Sequence, residues 1–242
     1  MELIICKNYE EISVKGAEII AAQIKIKPDS VLGLATGNSP IGIYDRLCMM
    51  HKAGALDLSA IKTFNLDEYL PIDPTDPNSY AAFMHEHLWD KVNIKPENCH
   101  IPTGNVSLDE AEEACRKYDE SIIAAGGIDL QLLGIGRNGH IGFNEPAETL
   151  FDGTHVTGLT ESTIEANSVL FPSPDMMPRH AVTMGMGLIR NARKILLVAN
   201  GKNKHEALMG LLEGGITTAI PASLLKLHPN VIVVCDEEAY YG

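Results

Sequence analysis

Short apolar runs that alternate with longer stretches of helical periodicity set the tightest limit on how this chain can fold. The runs are Leu3 to Cys6, Val31 to Ala35, Ile61 to Leu66, Leu130 to Ile135, Ala181 to Met184, Ile195 to Ala199 and Val231 to Cys235. Between most of them, over Tyr9 to Lys25, Pro40 to Ala53, Ser79 to Lys91, Leu108 to Ala125 and Asn203 to Glu213, apolar residues recur at three- and four-residue steps. Runs of this length read as strands apolar on both faces, and the amphipathic segments as the helices that cover them. The expectation is a single-domain α/β fold over residues 1–242, with a mostly parallel sheet flanked by helices in Rossmann style. One stretch, Ala147 to Pro178, is rich in Thr, Ser, Asn and Pro and breaks the rhythm, as a lid or an inserted excursion would.

A Rossmann-like sheet invites a search for a dinucleotide, and LLGIGRNGHIGFNEP at 132–146 contains Gly134-x-Gly136-x-x-Gly139 directly after an apolar run. That fingerprint requires a helix to follow. Here Gly142, Asn144 and Pro146 follow within a few residues, and all three disfavour helix. No dinucleotide is expected. What remains is a loop after a buried strand, carrying one imidazole, one carboxylate and two side-chain amides.

Composition narrows the partners. A formal net charge of −13 would repel a phosphate backbone, so no nucleic acid is expected. No apolar run is long enough to span a bilayer, and the start MELIICKNYEE lacks the basic beginning and long apolar region of a secretory signal. No membrane association is expected, and the protein is placed in the cytoplasm. The five cysteines are scattered and never in a C-x-x-C pair, which fits free thiols rather than disulfides or zinc. His85 and His87 lie two apart on an expected helix and so face different ways; no metal is expected. Met176, Met177, Met184 and Met186 are expected to fill core gaps or cover a mobile segment.

In open parallel sheets ligands bind beyond the carboxyl ends of the strands, and four such places carry polar chemistry. After Val31 to Ala35 comes Thr36-Gly37-Asn38-Ser39-Pro40, with Ser39 as an expected N-cap and Pro40 expected at the first helical position. Free N–H groups beside a positive helix end suit a phosphate. After Ile61 to Leu66 come Asp67 and Glu68, either of which could be a general base; spacing does not choose between them. The loop after Leu130 to Ile135 presents His140 between Gly139 and Gly142, with Glu145 placed to hold its tautomer. The fourth is Asn200 to His205, where Lys204 precedes Leu208 by four residues and Leu211 by seven. That puts its ammonium on the apolar side, toward the crevice, where it could share a phosphate with residues 36–39.

Taken with these loops, the stretches LATGNSP (34–40), FNLDEYL (64–70), NSYAAFMHEHL (78–88), GIGRNGHIGFNEP (134–146), TMGMG (183–187) and LHPNVIVVCDE (227–237) resemble the glucosamine-6-phosphate deaminase family over nearly the whole chain. The resemblance implies a small phosphorylated amino sugar as substrate, and conversion of glucosamine 6-phosphate and water to fructose 6-phosphate and ammonia without metal or organic cofactor. It implies that His140, with Asn138 and Glu145, acts in ring opening, that Asp67 moves a proton from C2 toward C1, and that Glu68 is a support. Thr36, Gly37, Asn38, Ser39, Gly134, Gly136 and Lys204 would hold substrate and its phosphate. Two departures stand out. Asn138 replaces an aspartate found in some members, and Val169 stands in EANSVLF where the family usually has an arginine that reaches the phosphate. Arg137 is a candidate substitute, and the missing arginine leaves galactosamine 6-phosphate open as a substrate. Other readings are 6-phosphogluconolactonase and a non-catalytic sugar-phosphate sensor. Longer members carry a further C-terminal segment tied to oligomer contacts and allosteric activation; with the chain ending at Gly242 that regulation is not expected, and a homo-oligomer stays open.

Overall fold

In the computed structural model the described residues are 1–161, 164, 171, 173 and 176–242. Val169, and with it the question of the missing arginine, lies outside them. Seven strands form one sheet in the order β1-β10-β9-β6-β2-β3-β5, and every neighbouring pair in it is parallel. They are β1 (Glu2–Cys6), β2 (Val31–Leu34), β3 (Lys62–Asn65), β5 (Cys99–His100), β6 (Leu130–Leu133), β9 (Ile195–Ala199) and β10 (Val231–Asp236).

Alternation along these strands builds the two cores. On β2 and β9, Leu32, Leu34, Leu196 and Val198 pack with α1 (Tyr9–Ile26), α2 (Asn38–Lys52) and α3 (Tyr80–His87). Their neighbours Val31, Ile195, Leu197 and Ala199 pack on the other face with α4 (Leu108–Ala124), α5 (Met186–Arg190) and α6 (His205–Leu212). Away from the edge strand β1, where Leu3 and Ile5 stay exposed, both faces of the sheet are apolar and covered, which is why the inner strands read as continuous apolar runs. After β10 a short helix, α7 (Glu237–Tyr241), closes the described chain.

Four strands depart from expectation, one of them the two-residue β5, which no expected run covers. The run Ile61 to Leu66 holds β3, which stops at Asn65, but after Leu66 the chain continues from Asp67 as an unexpected strand, β4 (Asp67–Leu70), in a second sheet. There β4 pairs antiparallel with β8 (His180–Thr183), which in turn pairs antiparallel with β7 (His155–Gly158). The run Ala181 to Met184 thus belongs to this small sheet and not to the main one. β7 gives the 147–178 excursion a strand of its own. The expected helix Ser79 to Lys91 ends at His87 and continues as a 3-10 turn over Trp89–Lys91, because Leu88 leaves the helical region.

From β2 the chain adds β3 and β5 on one side, then crosses over to add β6, β9 and β10 on the other. The order reverses between β2 and β6, and at such a reversal the loops after the two strands diverge and leave a crevice. Those loops are residues 36–39 and 134–146.

Candidate active site

A cavity of about 520 Å³ opens there, lined by Ala35 to Ser39, Leu66, Asp67, Tyr80, Gly134 to Asn138, His140, Gly142, Phe143 and Lys204. Of the residues singled out from sequence, Thr36, Gly37, Asn38, Ser39, Asp67, Gly134, Gly136, Asn138, His140 and Lys204 all line it. Glu145 does not reach the wall; it holds groups that do.

The anion side is built on the start of α2. Gly37 occupies the cap position with φ 93°, a left-handed value that suits glycine, and no side chain caps the helix. This corrects the expectation for Pro40 as first helical residue, and that for Ser39, which sits inside the first turn because the helix already starts at Asn38. Its hydroxyl instead donates to Oδ1 of Asn200 at 2.8 Å, tying the loop after β2 to the loop after β9. Tyr9 clamps the turn from α1, donating to the Asn38 carbonyl at 2.8 Å and accepting from the Gly42 N–H at 2.9 Å. Uncapped N–H groups at a helix start carry a partial positive charge.

Lys204 stands opposite, in a 3-10 turn just before α6, and donates to the carbonyl of Ile135 at 2.7 Å. Burial lowers its pKa, and the nearby charge of Arg137 lowers it further. Arg137 is exposed on the same wall and forms no ion pair among the described residues. Two cations that repel each other on one cavity wall, neither paired with a carboxylate among the described residues, are an arrangement that an anion would relieve.

The loop after β6 folds back on itself without a helix. Gly136 donates to the His140 carbonyl at 2.9 Å, and the imidazole lies flat against Gly136, where a Cβ would come within 2.4 Å of the ring. Nδ1 of His140 lies 2.9 Å from Oε1 of Glu145, in ion-pair range though off the line of a hydrogen bond. Asn138 closes the set: its Nδ2 donates to Oε2 of Glu145 at 2.6 Å, and its Oδ1 accepts from the His140 N–H at 3.2 Å. Burial works against the charge on Glu145, yet the contacts with His140 and Asn138 hold its carboxyl below the usual range. Asn144 anchors the loop, its Nδ2 donating to the carbonyls of Ile141 at 2.8 Å and Met184 at 2.9 Å.

Asp67 meets this loop at Gly142, where φ is +58° and a Cβ would lie 3.2 Å from Oδ2 of Asp67. The sequence left Asp67 and Glu68 undecided; their partners separate them. Glu68 accepts three backbone N–H bonds and is absent from the cavity wall. Asp67 is 6% exposed, opens into the cavity and shows no hydrogen-bond or ion-pair partner among the described residues. Burial, and then the charge of Glu68, push it up to about 8. A buried carboxylate without a cation keeps its affinity for protons, as a base requires.

Sequence reasoning missed Tyr80 and Phe143, whose rings stack at 5° with centroids 6.2 Å apart and complete the wall beside Asp67. It also missed Asn200 as the partner of Ser39. Tyr80 and Asn200 are brought in by elements remote in sequence, and Phe143, though it follows Gly142 in the same loop, carries no polar group to mark it. Among the described residues no cluster of His, Cys, Asp and Glu could hold a metal ion, and no helix is long and apolar enough to cross a membrane.

Residues 9–233 match the model of the glucosamine-6-phosphate isomerases/6-phosphogluconolactonase family. The chain is 54% identical to the glucosamine-6-phosphate deaminase of Thermoanaerobacter pseudethanolicus over 99% of its length and 94% of the relative's. It is 51% identical to that of Halothermothrix orenii, covering 99% and 98%. A solved structure described as a monomeric glucosamine-6-phosphate deaminase superposes with a TM-score of 0.94 at 46% identity, over 99% of this chain and 98% of the other. The 6-phosphogluconolactonase of Thermotoga maritima, at 18% identity and a TM-score of 0.78, shares the fold. With its reversal-point crevice and its match across almost the whole length, the chain belongs to the glucosamine-6-phosphate isomerase/6-phosphogluconolactonase family.

Proposed function

We propose that the protein converts glucosamine 6-phosphate and water into fructose 6-phosphate and ammonia. The observation that carries this reading is the pairing, in one cavity, of an unpartnered buried carboxylate, Asp67, with the His140–Glu145–Asn138 set. The names of relatives 46% to 54% identical over nearly the whole chain point the same way.

The phosphate sits at the start of α2 between Lys204 and Arg137, where helix N–H groups and two cations meet a dianion. This remote anchor places the sugar ring across the cavity, so its binding energy positions the reacting carbons. His140, held by Glu145, takes the proton of the C1 hydroxyl and returns one to the ring oxygen, opening the pyranose to an aldehyde. The aldehyde acidifies C2. Asp67 then removes the C2 proton while the C2 ammonium gives up a proton to the C1 oxygen, which makes a neutral enolamine; Asp67 returns its proton to C1, leaving an iminium at C2. Water adds to that carbon and ammonia departs, which yields the C2 ketone. Each proton moves between side chains and substrate or within the substrate, so no metal or organic cofactor is called for. The five free cysteines fit a reducing compartment such as the cytoplasm.

A lactonase would need a base for water attack on a carbonyl, but nothing in that reaction uses a second proton-moving group beside a carbon acid. The test is a substrate panel: purified protein with glucosamine 6-phosphate, galactosamine 6-phosphate or 6-phosphogluconolactone, following ammonia and lactone. Ammonia release should be fastest from the gluco sugar. Faster release from the galacto sugar, lactone loss without ammonia, or binding without turnover would each overturn the reading.

A further inference from the structure

Glu68 lies next to the base but outside the cavity, and its partners are unusual for a buried acid. Oε1 accepts from the N–H groups of Tyr69 and Tyr80, each at 2.9 Å, and Oε2 accepts from Ala81, also at 2.9 Å. Tyr80 and Ala81 are the first two residues of α3, and the N–H of the third, Ala82, goes to Oγ of Ser79 at 2.9 Å. The amino end of α3 is thus fully accounted for, mostly by one carboxylate. Burial raises its carboxyl to about 7 against the pull of three N–H bonds and a helix start, so Glu68 is an anion above that pH, and the dipoles that hold it cancel no charge. Among the described residues no Lys or Arg pairs with Glu68.

We propose that Glu68 is a positioning residue for the base: an anion gripped by the amino end of α3, whose uncancelled charge makes Asp67 a stronger base and whose grip holds Tyr80 on the cavity wall. The groups that act on Asp67 from the elements packed around it are consistent with this. Tyr44 of α2, Tyr80 of α3 and Tyr118 of α4 are neutral phenols there, all held well up by burial. His140, Lys204 and Arg137 line the same cavity as Asp67. Asp76, in the loop before α3, adds a second negative charge near Glu68. A stronger base suits removal of a carbon-bound proton, because proton transfer quickens with base strength until the base is protonated at working pH.

The inference rests on the reading of Asp67 as base, and the experiment separates the two. The pH profile of kcat/KM for glucosamine 6-phosphate is measured on the full chain and on Glu68→Gln, Glu68→Asp and Ser79→Ala. Glu68→Gln should move the acid limb down by about one pH unit and lower plateau kcat roughly tenfold. Ser79→Ala loosens the same helix without touching the charge and should leave the limb in place. An unmoved limb in Glu68→Gln, or an equal shift in Ser79→Ala, overturns the proposal. If Glu68→Gln fails to fold by circular dichroism, Glu68→Asp carries the test: it keeps the charge and shortens the reach, so its limb should stay, and a downward shift would refute us. Failure of the underlying reading looks different, since Asp67→Asn would then stay active.

Discussion

Two buried aspartates stand at opposite ends of the same sheet, Asp129 at the amino end of β6 and Asp67 beyond the carboxyl end of β3. Asp129 is 4% exposed and accepts from Lys27 Nζ at 2.6 Å, the Val31 N–H at 2.8 Å and Arg193 Nη1 at 3.0 Å. Those partners come from the end of α1, the start of β2 and the start of β9, so one carboxylate stitches three elements together. Asp67, 6% exposed, has no such partner among the described residues. The difference teaches where this pair puts stability and where it puts chemistry: the charge of Asp129 is satisfied by three partners, and that of Asp67 is left open to the cavity.

The largest effect expected from breaking that contrast is at Asp67. Asp67→Asn should lower kcat by about 10³-fold or more, read from ammonia release. It should also raise thermal stability, by an amount that grows with pH. The folded-state pKa of Asp67 is raised to about 8, so its favourable contribution is complete below about 4 and is lost as pH climbs through 8. The melting temperature of Asp67→Asn relative to the parent should therefore climb between pH 5 and pH 8; a gap that narrows instead would mean that Asp67 is ionised and satisfied.

Asp129→Ala should do the opposite. Loss of three charge-assisted bonds, two of them to partly exposed cations, should cost on the order of 2–4 kcal/mol and lower the melting temperature by roughly 5–10 °C. Turnover at low temperature should stay within about twofold. A large fall in kcat in a folded Asp129→Ala protein would dissolve the division between the two ends.

Smaller effects sharpen the anion side. Lys204→Met should raise KM for glucosamine 6-phosphate by about tenfold to a hundredfold while kcat changes less, as loss of a charged contact to a remote phosphate predicts. Arg137→Ala, on the exposed rim, should raise KM by about threefold to tenfold. An unchanged KM in Arg137→Ala would remove it from the phosphate site and leave Lys204 and the helix start to do the binding.

Much of this was legible in the residues. Strands buried on both faces read as apolar runs because each residue in them, on either face, meets a core. Gly37, Asp67, His140 and Lys204 fell at strand ends, where a parallel sheet exposes function. Ser39 was misread as a cap because its type suits one; which residue starts the helix depends on the backbone at Gly37. The second sheet escaped notice because β4 follows β3 after one residue, and Asp67-Glu68-Tyr69-Leu70 has no alternation to announce a strand.

Taken alone, the order of residues determined most strands of the main sheet, most of the helices and the short set of polar groups able to move protons, since periodicity and side-chain chemistry are local. Only the tertiary structure decided that Asp67 faces the cavity while Glu68 serves α3, that Asn200 holds Ser39, and that Tyr80 and Phe143 share a wall. Those outcomes depend on burial and on partners from distant elements, and a carboxylate's strength as a base is a property of what surrounds it.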